Sequence, residues 1–192
     1  LAVGVDIVGA LILAAGASRR MGRSKALLPI DGVPLVQAHV RALRVVASQV
    51  VVVVGYRGME VAAAALDARI VVNRQWADSD MFASLQLGLA ALPGVDRLWI
   101  TPVDAPPGSA ATVRTLRKVN AAVVPTDLQG NDGHPVVLDD KLIARARRER
   151  PDGGLQAWLT SVPRVKVEAS VAANLNTPGD LERWLASRTN SR

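Results

Sequence analysis

Leu11-Ile-Leu-Ala-Ala-Gly-Ala-Ser-Arg-Arg-Met-Gly-Arg-Ser-Lys25 is the stretch that decides the fold. The apolar run from Ile7 to Ala14 predicts a buried strand, which breaks at Gly16 into a loop of small residues. Arg19, Arg20, Arg23 and Lys25 then arrive within seven positions. Small residues let backbone N–H groups come close to an anion, and arginine and lysine cancel its charge, so the loop predicts a phosphate site. It is not a Walker A loop, because Gly22 is followed by Arg23-Ser24-Lys25 and not by Gly-Lys-Ser/Thr. Nor is it the G-x-G-x-x-G of a dinucleotide fold.

Outward from this loop the chain alternates. Pro34 to Val46 predicts a helix with Leu35, Val36, Ala38, Val40 and Leu43 on a broad face, and five valines between Gln49 and Gly55 predict a strand buried on both faces. Tyr56 to Leu66, Met81 to Leu92 and Ser109 to Val119 read as helices; Arg69 to Asn73, Arg97 to Thr101 and Ala121 to Pro125 read as strands. The α/β pattern predicts a doubly wound, parallel sheet with helices on both faces, and ligands beyond the carboxyl ends of its strands, in the loops after Ala14, Gly55, Asn73, Thr101 and Pro125. Past residue 125 the regularity weakens. A strand Pro135 to Leu138, a helix Asp139 to Arg150 capped by Asp139 or Asp140, a turn at Pro151, a short helix Leu155 to Leu159, a strand Arg164 to Glu168 and a helix Pro178 to Ser187 complete the chain, with Ser191 and Arg192 expected to fray.

The length of 192 residues, 49% of them apolar, fits one domain: a nucleotide-binding part over 7–125 and an acceptor-side part over 126–188. A net charge of +6 favours anionic ligands, while a single Tyr and a single Phe leave little aromatic platform for nucleic acid. Small phosphorylated ligands therefore fit better than RNA or DNA. The lack of cysteine removes disulfides, thiolate metal sites and a cysteine nucleophile, and suits a reducing cytoplasm. Asp6 interrupts the apolar opening, which reads as a first strand and not as a secretion signal; no stretch is long enough to span a membrane.

Leu13-Ala-Ala-Gly-Ala-Ser-Arg-Arg-Met-Gly22, then Lys25, then Leu27-Leu-Pro-Ile-Asp-Gly-Val-Pro-Leu35, resembles the signature of the MobA-like nucleotidyltransferases, which include the molybdenum cofactor guanylyl- and cytidylyltransferases. The resemblance implies a Rossmann-like nucleotidyltransferase fold and transfer of a nucleoside monophosphate from CTP or GTP to a phosphorylated acceptor, molybdopterin foremost, with Mg2+ as cofactor. It implies a triphosphate held along Leu13, Ala14, Ala15, Gly16, Ala17 and Ser18, with Arg20 and Lys25 neutralising its charge. A molybdoenzyme or a cofactor chaperone would be the protein partner. A sugar-phosphate or other small-acceptor nucleotidyltransferase, and a non-catalytic nucleotide- or cofactor-binding module, are the alternatives.

Asp104, in Thr101-Pro-Val-Asp-Ala-Pro106, stands just past a predicted strand between prolines, where a carboxylate can hold Mg2+ or cap a helix. Asp104-Ala-Pro106 also matches the family's metal-binding D-x-P. In Asn174-Leu-Asn-Thr-Pro178 the resemblance points to a second metal oxygen, from Asn176 in preference to Asn174; a cap for the last helix is the other use of that stretch. Asn73 and Ser84 match positions around the nucleotide's base and sugar, although Asp80 stands where the family has glycine and Phe82 is bulky. Gly133-His-Pro135 resembles a cytidylyltransferase motif near the acceptor and nominates His134, whereas the Asn-x-Asn pattern favours the guanylyl branch. Arg145, Arg147, Arg148 and Arg150 read as a solvated helix face.

Overall fold

The computed structural model of the chain describes residues 6–168 and 171–189, so the expected fraying of Ser191 and Arg192 lies outside the described residues. Among the described residues the strands are β1 Val8–Ala14, β2 Pro29–Ile30, β3 Val33–Pro34, β4 Gln49–Val54, β5 Arg69–Val72, β6 Arg97–Pro102, β7 Val124–Thr126, β8 Val136–Leu138 and β9 Arg164–Lys166. The α-helices are α1 Leu35–Arg44, α2 Gly58–Ala64, α3 Met81–Ala90, α4 Ala110–Arg117, α5 Asp140–Arg148, α6 Leu155–Leu159 and α7 Pro178–Thr189.

Five strands form the main sheet in the order β5-β4-β1-β6-β8. The pairs β5·β4, β4·β1 and β1·β6 are parallel, as expected for helix crossovers, but β8 runs antiparallel to β6, with Trp99 opposite Val137. The expected strand before Pro125 is also displaced. As β7 it pairs with β9 in a separate two-stranded sheet, which is bridged to the main one at Val123–Val137 and packs against it through Val124. The loop after it is therefore not a strand-end loop of the main sheet.

Strand alternation divides the core in two. Ala10, Ile12 and Ala14 of β1 and Val50, Val52 and Val54 of β4 face α1, α2, α4 and α7; Leu11, Leu13, Val51 and Val53 face α3, α5 and α6. Both sides of each strand are buried, which is why the sequence shows continuous apolar runs there. Each fully buried Leu or Ile contributes about 1.5–3 kcal/mol. On the second face α3 lies close to β1, since a Cβ on Gly88 would come within 2.2 Å of Leu11 Cδ1.

Chain order places β1 at the centre, with β4 and β5 added on one side and β6 on the other. The reversal falls between β1 and β6, and in such sheets ligands bind at that point, beyond the carboxyl ends. The loops after Ala14 and Pro102 leave the sheet there.

His39 on α1 fixes the second of these loops. Its ring is buried, with Nε2 2.9 Å from the Ala105 carbonyl oxygen, and burial lowers its pKa to about 4 despite the Ala105 and Val103 carbonyls nearby. The unfolded chain protonates this ring near pH 6.5 and the folded chain does not, so its contribution is complete above pH 6.5 and is lost as pH falls towards about 4. By pH 5 the parent should lose on the order of 2 kcal/mol from this residue. Denaturant unfolding at pH 7 and pH 5 should show a smaller drop in His39→Gln, which can still donate to Ala105; an identical drop would remove His39 as the cause.

Candidate functional site

The loop after β1 turns on residues in left-handed conformation. Ser18 has φ 55° and Gly22 φ 71°, flanking a single 3-10 turn at Arg19–Met21. The Ser18 hydroxyl accepts a hydrogen bond from the Lys25 backbone N–H at 3.0 Å, which closes the loop and sends the Lys25 side chain inward. Nothing lies within 4 Å of where a Gly16 Cβ would stand, so the fold does not require glycine there; its absence of side chain keeps the mouth of the loop open. Gly55 is the opposite case. A Cβ there would come within 2.7 Å of the Ala15 carbonyl oxygen and 2.5 Å of Trp76 Cβ, so the strand end and the loop touch through backbone.

Three distant segments meet at Lys25. Its Nζ donates to Asp104 Oδ2 at 2.9 Å and to Asn176 Oδ1 at 2.6 Å, with the lysine side chain only 10% exposed. The frame behind each oxygen is tied down: the Leu175 N–H donates to the Asp104 carbonyl at 2.7 Å, and Val103 N–H to the Leu13 carbonyl at 2.9 Å. Asp104 caps no helix, since Ser109 caps α4. Nor is Asn176 spent as a cap. Thr177 and Asp180 cap α7 reciprocally, Thr177 N–H to Asp180 Oδ2 at 2.8 Å and Asp180 N–H to Thr177 Oγ1 at 3.2 Å, which leaves the Asn176 amide for the site.

Two hard oxygens converging on one ammonium are also a donor pair for a divalent cation that takes its other ligands from phosphate and water. Among the described residues no three His, Cys, Asp or Glu side chains gather as a metal cluster, so the protein's share here would be these two oxygens. Asn174 turns away and lines a neighbouring cavity.

A cavity of about 220 Å3 opens beside this cluster, lined by Leu13, Ala15, Gly16, Ser18, Lys25, Ser84 and Asp104 from the sequence-predicted set, and by Trp76, Ser79, Asp80, Met81, Pro102 and Val103. Ala14 and Ala17 do not line it; Ala14 points into the opposite core. Arg20 is exposed and, among the described residues, makes no hydrogen bond or ion pair, so its guanidinium is uncommitted. Asn73 lies behind the wall. It is buried and donates to Ser79 Oγ at 2.9 Å and to Ser84 Oγ at 3.0 Å, while its own oxygen accepts from Gln75 N–H at 3.0 Å, so it orients the Ser84 hydroxyl. Trp76, three residues beyond Asn73, is not among the residues the sequence nominates. It stands edge-on to Tyr56 at 5.5 Å and supplies an aromatic wall that counting Tyr and Phe alone had missed.

A larger cavity of about 590 Å3 adjoins the first, the two sharing Leu13, Asp80, Met81, Pro102 and Asp104. His134 lines it; Nδ1 is buried without a partner, and burial holds the ring below its usual pKa against the pull of Asp104. The four arginines expected on a solvated face are all exposed, and of them Arg150 lines this cavity. Arg147 donates to the Leu89 and Leu92 carbonyls at 2.7 and 2.5 Å, Arg150 pairs with Asp80 at 2.6 Å, Arg145 pairs with Glu149 at 2.7 Å and lies 4.4 Å above the Trp158 ring, and Arg148 bonds to the Ala144 carbonyl of its own helix. Asp139, and not Asp140, caps α5.

A cationic loop of small residues, a lysine between two hard oxygens and a cavity at the sheet's reversal fit a nucleotide-binding α/β protein. The chain belongs to the MobA-like NTP transferase domain family, whose model matches residues 10–167. It is 36% identical over 170 residues to nicotine blue oxidoreductase of Paenarthrobacter nicotinovorans, covering 81% of this chain and 83% of that one. It is 34% identical over 190 residues to molybdenum cofactor guanylyltransferase of Rhodobacter capsulatus, covering 92% of this chain and 94% of that one. Among solved structures, Rv0371c of Mycobacterium tuberculosis superposes with a TM-score of 0.81 at 27% identity over 95% of this chain and 100% of that one, and a manganese complex of Rv0371c is also known, with a TM-score of 0.77.

The two glycines separate packing from function. Gly55→Ala should lower stability by about 1–3 kcal/mol through overpacking, whereas Gly16→Ala should leave it unchanged or slightly raised. Thermal unfolding of both variants checks this, and equal losses would contradict the contrast.

Proposed function

We propose that the protein transfers a nucleoside monophosphate from GTP or CTP to a phosphorylated small molecule, molybdopterin foremost, and releases pyrophosphate. The carrying observation is the meeting of Lys25, Asp104 and Asn176 beside the small-residue loop. Backbone N–H groups along Ala15 to Ser18 receive the triphosphate, with Leu13, Ala14 and Ala17 shaping the loop and Ser84, held by Asn73, on the sugar side. Lys25 and Arg20 neutralise charge on the α-phosphate and the leaving group. Asp104 and Asn176 would hold Mg2+, which when bound supplies further positive charge at the phosphates. The acceptor, in the larger cavity near His134, brings an oxygen of its phosphate to the α-phosphorus; that bond forms as the bond to the bridging oxygen breaks, and pyrophosphate takes the electron pair. A phosphate is already ionised near neutral pH, so the residues need only position and stabilise charge.

The relative named as a guanylyltransferase favours GTP, and the G-H-P at His134 favours CTP. A second reading, reduction of an apolar substrate, is favoured by the relative named as an oxidoreductase and by the apolar walls of the larger cavity.

Binding of GTP, CTP, ATP and UTP with and without Mg2+, followed by pyrophosphate release with molybdopterin, tests the proposal. One nucleotide should bind in a metal-dependent way, and Asp104→Ala should lower pyrophosphate release about 100-fold or more with little change in melting temperature. Oxidation of NADH or NADPH without pyrophosphate release would favour the second reading and sink the first.

A further inference from the structure

The larger cavity poses an electrostatic problem for any phosphorylated guest. Asp80, Asp104 and Asp152 line it, its histidine is held towards the neutral form by burial, and Arg150 is the one Lys or Arg side chain in its wall among the described residues. An anion entering between three carboxylates needs a cation, and that wall offers a single one.

Arg150 is built to be available. Its hydrogen bonding among the described residues amounts to one contact, Nη2 to Asp80 Oδ2 at 2.6 Å, which leaves four of the five guanidinium N–H groups unspent. The two side chains are 53% and 51% exposed, and ion pairs of that kind hold weakly. Asp80 is held independently of Arg150, because its other oxygen accepts the Ala83 N–H at 2.9 Å as the N-cap of α3. The guanidinium also lies 5.9 Å over the Phe82 ring, which in turn meets Trp158 edge-on at 5.8 Å. Asp80 and Phe82 thus both contact the Arg150 guanidinium.

We propose that Arg150 is the anion receptor of the acceptor pocket: it takes the acceptor's phosphate by its free N–H fork while the acceptor's carbon body packs on Phe82, Leu155 and Leu159. The assignment rests on the nucleotidyl-transfer reading for its biological meaning, but its physical content is a binding site that can be measured alone. Asp80 holds the fork in place at the rim and competes with the incoming anion, so it tunes affinity. Since Asp80 and Asp104 line both cavities, an anion held by Arg150 sits on the side from which the α-phosphate is approached.

The test uses phenyl phosphate as probe and phenol as its uncharged counterpart, titrated by NMR into the full chain. Phenyl phosphate should bind at least about tenfold more tightly than phenol, a margin expected of charge-assisted hydrogen bonds. Arg150→Ala and Arg150→Gln should each remove most of that margin, Arg150→Lys should restore part of it, and Asp80→Asn, which keeps the α3 cap without the charge, should tighten binding several-fold. Arg20→Ala, in the other phosphate loop, should change it less than twofold. Equal affinity in parent and Arg150→Ala, loss in Arg20→Ala instead, or no preference for phenyl phosphate over phenol would each overturn the assignment. Nucleotide binding and pyrophosphate release, measured on the same proteins, report separately on the transfer reading. Failure there with the Arg150 dependence intact removes the reaction and leaves the receptor; a functioning transferase indifferent to Arg150 removes the receptor alone.

Discussion

One ammonium group organises this molecule's working end. Lys25 Nζ joins a carboxylate 79 positions away and an amide 151 positions away, so the first loop, the loop after β6 and the segment before α7 converge on a single charge. A charge largely shielded from water is costly unless its hydrogen bonds are well made, and breaking such a pair leaves the ion less compensated. The site is therefore stable only while three backbone frames hold their places. Ser18 bonded to the Lys25 N–H, Leu175 bonded to the Asp104 carbonyl, and His39 bonded to the Ala105 carbonyl provide that restraint.

The sheet's reversal between β1 and β6 explains why these frames meet. Strand β1 is buried on both faces, so its direction is fixed by two independent cores, and both loops emerge from its end and its neighbour's. Helix α3 then divides the space beyond. Its N-terminal residues Asp80 and Met81 line both cavities, one bounded by the cationic loop and one by apolar side chains of the second core. A charged compartment beside a mostly apolar one suits a reaction that joins a triphosphate to a molecule with a carbon body.

The first half of the chain was largely legible. Runs buried on both faces, such as Val50 to Val54, are unambiguous in sequence, and the loop from Gly16 to Lys25 carries its chemistry within ten residues. What was not legible depends on long-range partners. A short apolar run before Pro125 gives no sign of which sheet it joins, and nothing in Val136 to Leu138 shows that the strand is antiparallel. The arginines illustrate the same limit. Arg145 with Glu149 is a local pair that helix spacing allows one to read, whereas Arg147 with Leu89 and Arg150 with Asp80 span 58 and 70 positions. Asn73 shows a different limit: its residue type is visible in the sequence, but only the structure shows that its amide bonds to Ser79, Ser84 and the Gln75 N–H behind the cavity wall.

A fold shared by relatives named for nucleotide transfer and for oxidoreduction shows that the sheet alone does not choose the chemistry. The choice lies in what lines the cavities. Hydride transfer asks for a slot that keeps two reacting carbons close and dry, and hard oxygens around a cation add little to it. Phosphoryl chemistry asks for the reverse, fixed positive charge where negative charge concentrates, with oxygens able to share a cation. The smaller cavity, with Lys25 between Asp104 and Asn176 and three arginines in the adjoining loop, has the second character. The larger one, walled by Leu13, Phe82, Leu85 and Ile100, would by itself allow either. The charged compartment therefore weighs towards transfer, because a chain working only through the apolar compartment would have no need to hold a buried lysine against a carboxylate and an amide.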